Sequence, residues 1–313
     1  MTNKLCLGTA KIGMPDYGYS NTDILVNAGE FLFESLSLGV GYIDTSPRYG
    51  SSEKIVGDVL KTLGDKPGVS TKVDNLIPGS KQNSDLMLHS ILSSIDNLNI
   101  SSIDICYLHQ NEIDIISDVY VHKGIELLKE KNLIKEVGAS IYSESELRYT
   151  LESGIFDWVQ IPINILDSSF YNIISEYDTN IKVSARSIFL QGILLNRHSI
   201  CDDIKEHSEL LDTLELVDRL CVKYNINIKQ LSIAYLSQLE RIDQIIVGTT
   251  SVNNLKDNIL STNIVLPNDL ITSLKVISKQ PKTWTNPRHW KASLEGRQSN
   301  ENTFFKFLEG KVK

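Results

Sequence analysis

Eight short runs rich in Val and Ile recur along the chain, and helical patterns lie between most of them. Few folds accommodate that alternation. The strand candidates are residues 4–9, 41–44, 68–72, 103–108, 134–139, 157–161, 181–185 and 244–247. Most lack strict polar alternation, which predicts strands buried on both faces. In 23–38 the apolar positions Leu25, Ala28, Leu32 and Leu36 recur at helical spacing, and Gly39 is placed as a stop. In 84–98 the stripe is Leu88, Ile91, Ile95 and Leu98. Ser143 with Glu146 reads as a capping box opening 144–153, before Gly154. In 208–224 the stripe is Leu210, Leu214, Val217 and Cys221. Two more helices, 251–260 and 269–278, follow the last strand and end before Pro281.

Alternating strands and helices demand a parallel sheet, so the class is α/β. Eight units fit a closed (β/α)₈ TIM barrel at its typical ~250-residue size. The expectation is a single barrel domain over 1–313, with an extra C-terminal helix and a tail, 279–313, near the barrel mouth. The competing fold is an open doubly wound sheet, which usually places GxGxxG after its first strand. Here that strand leads into Ala10-Lys11-Ile12-Gly13-Met14, without that spacing. Residues 186–207 and 279–313 have no place in the eight-unit count, and long irregular segments tend to be functional.

Composition narrows the partners. Lys and Arg number 31 against 39 Asp and Glu, a net charge of −8, which speaks against nucleic acid or an anionic membrane. No apolar run reaches the ~18–20 residues of a membrane span. Residues 1–18 carry Lys4, Lys11 and Asp16 and lack a long apolar core, so no secretory leader is expected. Cys6, Cys106, Cys201 and Cys221 are scattered, and none forms a CxxC or CxH pattern, which predicts a reducing, cytoplasmic setting. No metal site is expected. The histidines, at 89, 109, 122, 198, 207 and 289, form no HxH pair, which argues against a metal-dependent barrel hydrolase.

Active sites of such barrels sit at the C-terminal strand ends. There the chain places Asp44 at the end of strand two and Tyr49 after it, Lys72 at the end of strand three and His109 after strand four. Singly, each has an ordinary reading: Asp44 as a helix cap, Tyr49 as a rim aromatic, His109 as a structural histidine. Lys72 at an apolar strand end is harder to explain, because a buried lysine needs a partner.

The segment Gly41-Tyr-Ile-Asp-Thr-Ser-Pro-Arg-Tyr-Gly-Ser-Ser-Glu53 resembles the second-strand signature of the aldo-keto reductase superfamily. Ser70-Thr-Lys-Val73 and Tyr107-Leu-His-Gln110 are similar to its third- and fourth-strand motifs, in order. The resemblance implies NAD(P)H-dependent reduction of an aldehyde or ketone. It implies Tyr49 as proton donor, Lys72 and Asp44 as its tuning pair, and His109 at the carbonyl. The types suit the chemistry. Hydride transfer builds charge on the carbonyl oxygen, and a phenol of pKa ~10 is a better acid beside a cation.

The same resemblance implies that Ser140 and Gln160 meet the nicotinamide carboxamide, with Asn164 a looser candidate. Arg186 stands where many relatives carry a stacking aromatic, and a guanidinium can also stack. Ser187, Leu190 and Gly192 fit a loop over the pyrophosphate. Gly248, Thr249 and Ser251 line an adenosine-phosphate loop, and Asp257 and Asn258 reach the adenine. Relatives often place Arg or Lys in that loop to grip a 2′-phosphate; this one has Thr250 and Asn254, with Lys256 beyond. The cofactor expected is therefore NADP(H), with NAD(H) also used.

Strand one starts at Lys4, without the preceding β-hairpin of many relatives, and the segment after His109 is short. A fairly open mouth follows, rimmed by Tyr17, Tyr19, Arg48, Trp284, Arg288 and Trp290. The partner expected is a small carbonyl compound, with a sugar or nucleotide-sugar among the candidates. A rival reading from another class is a binding protein that senses the cofactor with little turnover.

Overall fold

A computed structural model describes residues 4–14, 27–196, 207–279 and 285. The strands are β1 (Leu5–Gly8), β2 (Tyr42–Asp44), β3 (Gly68–Val73), β4 (Ile103–Leu108), β5 (Ile134–Ser140), β6 (Trp158–Pro162), β7 (Lys182–Arg186) and β8 (Gln244–Gly248). They form a closed parallel barrel in sequence order, with β8 pairing back onto β1. The expected (β/α)₈ barrel is therefore the fold, and each strand run falls within a residue or two of its expected bounds.

Helices described before β5 are α1 (Ala10–Gly13), α2 (Ala28–Ser37), α3 (Ser52–Leu60), α4 (Asn83–Leu98), α5 (Ile113–Ile116) and α6 (Val119–Glu130). After it come α7 (Glu144–Glu152), α8 (Ser169–Ile174), α9 (His207–Lys223), α10 (Ile228–Ser237), α11 (Val252–Ser261) and α12 (Asn268–Ser278). Both halves of the Ser143–Glu146 capping box form at α7. Gly39 and Gly154 take positive φ after α2 and α7, as stops should. The helix expected over 23–38 is described only from Ala28, behind the Asn27 cap; its first residues lie outside the described ones. In α4 the fully buried face is Met87, Ile91, Ser94 and Leu98, so Leu88 and Ile95 flank the contact instead of centring it.

Strand side chains alternate between the helix layer and the barrel interior. Val69, Thr71 and Val73 of β3 take the outer positions, and the Thr71 hydroxyl donates to Glu53 Oε1 on α3 at 2.6 Å. Ser70 and Lys72 take the inner ones. The outer side chains join one large apolar core with the helices, each buried Val, Ile or Leu contributing about 1.5–3 kcal/mol. The interior is more polar than the Val/Ile-rich runs imply. Deep inside, Tyr107 Oη and Ser184 Oγ lie 2.9 Å apart, and Ser184 donates to Gln244 Oε1 at 2.9 Å. These bonds link β4, β7 and β8 across the barrel interior.

Candidate active site

Cross-strand register builds the centre of the mouth. Asp44 pairs with Ser70 between β2 and β3, and Ser140 pairs with Gln160 between β5 and β6. Lys72 lies two residues beyond Ser70, on the same inner face. Its Nζ donates to Asp44 Oδ2 at 2.7 Å and to the Thr45 carbonyl at 2.8 Å. Lys72 is 1% exposed and Asp44 4%, so each charge depends on the other. Ser70 Oγ and Gln160 Nε2 each donate to Asp44 Oδ1 at 3.1 Å. Ser140 Oγ donates to Gln160 Oε1 at 2.9 Å, which extends the network across the barrel.

Tyr49 is brought over this pair by the loop after β2, with the Lys72 ammonium 5.0 Å from its ring centroid. His109 stands edge-on to it, ring centroids 6.2 Å apart at 85°. Ser46 Oγ lies 3.3 Å from His109 Nδ1. The loop is seated by close backbone approach. A Cβ on Gly13 would fall 1.7 Å from the Tyr49 carbonyl oxygen, and one on Gly50, at φ +56°, would fall 2.5 Å from that of Gly13. Ser52 Oγ ties the same loop to Thr9 Oγ1 at 2.7 Å and Thr45 Oγ1 at 3.0 Å. Asp44, Tyr49, Lys72 and His109 thus converge in one mouth.

Burial pushes the Tyr49 phenol well above its usual range, the nearby Asp44 charge adds to this, and Arg186 pulls the other way. The Lys72 ammonium is itself held by Asp44 at hydrogen-bond distance. Arg48, expected at the rim, pairs with Asp74, the Arg48 side chain 36% exposed and that of Asp74 5%.

On the far side, Arg186 lies over the Tyr142 ring with its guanidinium carbon 3.9 Å from the centroid, and Nη2 donates to the Ile141 carbonyl at 2.8 Å. Ser187 Oγ accepts from Arg186 Nη1 at 3.4 Å. The next turn is strained: Ser187, Leu190 and Gln191 have positive φ, as does Gly192. Leu190 is fully buried in the apolar core, so its side chain is unavailable to a pyrophosphate. Asn164 is buried and accepts from the Leu166 N–H at 2.9 Å, a local turn bond.

After β8, Gly248 is exposed, and a Cβ there would meet nothing within 4 Å. Thr249 Oγ1 accepts from the Ser251 N–H at 3.2 Å, and Ser251 caps α11 by accepting from the Asn254 N–H at 3.3 Å. Asn254 and Asp257 both accept from Lys229, on α10, and Asn258 is 2% exposed. Lys256 is exposed. Tyr17, Tyr19, Trp284, Arg288 and Trp290 lie outside the described residues. Of the tail only Thr285 is described beyond residue 279, and its Oγ1 donates to Asp167 Oδ2 at 2.7 Å.

Sequence reading missed Ser46, Ser70, Tyr142 and Lys229. Ser46 and Ser70 lie inside the quoted motifs and could have been found there. Tyr142 and Lys229 are remote in sequence from what they touch, so only folding reveals them.

Residues 4–279 match the model of the Aldo/keto reductase family. The chain belongs to that family. An NADH-specific methylglyoxal reductase of Escherichia coli (strain K12) is 26% identical over 277 residues, covering 75% of this chain and 82% of that protein. A D-arabinose 1-dehydrogenase of Saccharomyces cerevisiae is 25% identical over 245 residues, covering 71% and 72%. The solved structure of a glycerol dehydrogenase from Gluconobacter oxydans superposes with a TM-score of 0.70 at 19% identity, covering 91% of this chain and 94% of that one. This aldo/keto reductase is accordingly an oxidoreductase of carbonyl chemistry, in a family that uses nicotinamide cofactors.

The residues around the mouth fit such a cofactor. Three buried polar atoms lack a hydrogen-bond partner among the described residues at the ends of the last two strands and on the helix beyond: Arg186 Nε, Thr250 Oγ1 and Asn258 Oδ1. Buried polar atoms are rarely left so, and a bound polar group relieves the cost.

Proposed function

We propose that this aldo/keto reductase reduces an aldehyde or ketone to the alcohol, with Tyr49 as the proton donor. The observation that carries the reading is the buried Lys72–Asp44 pair, 2.7 Å apart, beneath the Tyr49 ring and beside His109. When bound, the nicotinamide supplies hydride to the carbonyl carbon. The chain handles the proton and the charge.

Tyr49 keeps its proton at Oη until negative charge develops on the carbonyl oxygen, and then releases it there. Its raised pKa keeps the phenol neutral in the ground state and opposes release, so the proton leaves only as charge builds on the carbonyl oxygen. His109 orients the carbonyl by hydrogen bonding, with Ser46 fixing the ring at Nδ1. Lys72 and Asp44 position the phenol and hold a compensated charge below it. Ser140 and Gln160 would meet the carboxamide. Arg186, Ser187 and Gly192 would cover the pyrophosphate, and Leu190 would shape that turn from the core. Gly248, Thr249 and Ser251 would receive the adenosine phosphates, flanked by Asn254, Asp257 and Asn258.

The cofactor proposed is NADP(H), with NAD(H) also accepted. The substrate proposed is a small carbonyl compound, of which a sugar is one candidate, in keeping with the methylglyoxal and arabinose named for relatives. Cytoplasmic residence belongs to the same reading, on the scattered cysteines.

The test is a panel of aldehydes, ketones and sugars, followed by nicotinamide absorbance with NADPH and NADH. Turnover that collapses in Tyr49→Phe supports the reading. Tight cofactor binding with no oxidation by any carbonyl would favour a sensor and overturn it.

A further inference from the structure

The loop 248–254 presents no Lys or Arg, although an adenosine 2′-phosphate brings about two negative charges. The fold supplies a cation from elsewhere. Lys229, in the first turn of α10, reaches across to α11, where its Nζ donates to Asn254 Oδ1 at 3.1 Å and to Asp257 Oδ2 at 2.9 Å. An ammonium has three donors, and no described residue takes the third. The Lys229 side chain is 22% exposed, against 59% for Asp257, so the charge is partly withdrawn from solvent and weakly screened. The same turns of α11 and its entry loop carry the unpartnered Thr250 Oγ1 and Asn258 Oδ1, the latter on a residue 2% exposed.

We propose that Lys229 is the residue that sets the cofactor preference of this chain, by giving an ammonium to the adenosine 2′-phosphate from outside the loop. The inference rests on the reading that the mouth binds a nicotinamide dinucleotide. Asp257 opposes it, because its carboxylate occupies one Lys229 donor and repels the phosphate. The two together give a moderate preference for NADPH, no more than about a hundredfold over NADH.

The experiment is titration of the purified protein with NADPH and NADH by fluorescence quenching. Competition by adenosine 2′,5′-bisphosphate and by 5′-AMP isolates the adenosine end. In Lys229→Met the ratio of NADH to NADPH dissociation constants should fall about tenfold, the scale of one charge-assisted hydrogen bond. Lys229→Arg should retain the ratio. Asp257→Asn should raise it by freeing the ammonium, and a rise in this variant also covers the case in which Lys229→Met fails to fold. The preference should weaken with salt in the wild type and lose that dependence in Lys229→Met. If both cofactors bind and the ratio is unmoved in Lys229→Met and Asp257→Asn, this inference is overturned and the functional reading stands. If neither cofactor binds the wild type, both fall.

Discussion

Gln160 donates through Nε2 to Asp44 Oδ1 at 3.1 Å, from the opposite side of the barrel. One amide thereby joins the face expected to hold the nicotinamide to the buried ion pair beneath Tyr49. Gln160→Leu would remove a donor to Asp44 and the acceptor for Ser140. The expected result is a stability loss of about 1–3 kcal/mol from the polar atoms left behind, with weaker binding of both reduced cofactors. Urea unfolding and cofactor titration measure the two effects. Cofactor affinity equal to the wild type's would dissociate Gln160 from the carboxamide.

Tyr49→Phe should reduce turnover by about 10²–10⁴-fold, the range of general acid catalysis, with cofactor affinity nearly unchanged. Because desolvation and Asp44 raise the phenol pKa, Tyr49 remains protonated through the ordinary tyrosine range. A wild-type pH–rate profile should therefore show no loss of activity from this group up to about pH 10. A raised folded pKa contributes stability that is complete below the unfolded value near ~10 and declines as pH rises beyond it. Tyr107, raised by burial, acts in the same direction. Unfolding midpoints at pH 8 and above pH 10 check this, and an activity limb well below pH 10 that vanishes in Tyr49→Phe would contradict the protonated-donor reading.

Lys72→Met leaves Asp44 buried without its cation, with Ser70 and Gln160 still donating to it. Activity should be lost and stability should fall by several kcal/mol, about 3–5 for a broken buried pair. Asp44→Asn should cost less stability, because the amide keeps an acceptor for Lys72 or Ser70. Thermal unfolding of both variants gives the order, and the reverse order would mean that the pair is not the main support of the site.

Gly13→Ala probes the seat of the Tyr49 loop. A Cβ there would lie 1.7 Å from the Tyr49 carbonyl oxygen and 2.5 Å from the Ser52 amide nitrogen, and both are backbone atoms. The loop must shift, so turnover should fall by more than tenfold, as misplacement of a catalytic group by about 1 Å can cost a hundredfold. The variant's steady-state kinetics and its thermal midpoint separate displacement from unfolding. Wild-type kcat in a folded variant would show that Tyr49 tolerates movement of its loop.

The barrel and the strand-end residues of the candidate site were legible in the order of residues along the chain. Eight apolar runs separated by amphipathic stretches demand a parallel sheet covered on both faces, and the count of eight units without a GxGxxG after the first points to a closed one. Asp44, Lys72 and His109 were legible because they are polar groups where those runs end. Tyr49 was legible through the motif around it. What the sequence concealed was the inner alternation of the strands. With both faces buried, Ser70, Ser184 and Gln244 stand among Val and Ile without a period that marks them. Tertiary structure alone decided three matters. Burial turned the Tyr49 shift upward, with the Asp44 charge adding to it, because desolvation and net field depend on every neighbour in space. Asp74, far along the chain, became the partner of Arg48. And Lys229, 25 residues before Asn254 along the chain, reached α11 only because α10 and α11 pack side by side. Local spacing governs which elements form, whereas charge balance is a sum over distances that exist only once the barrel has closed.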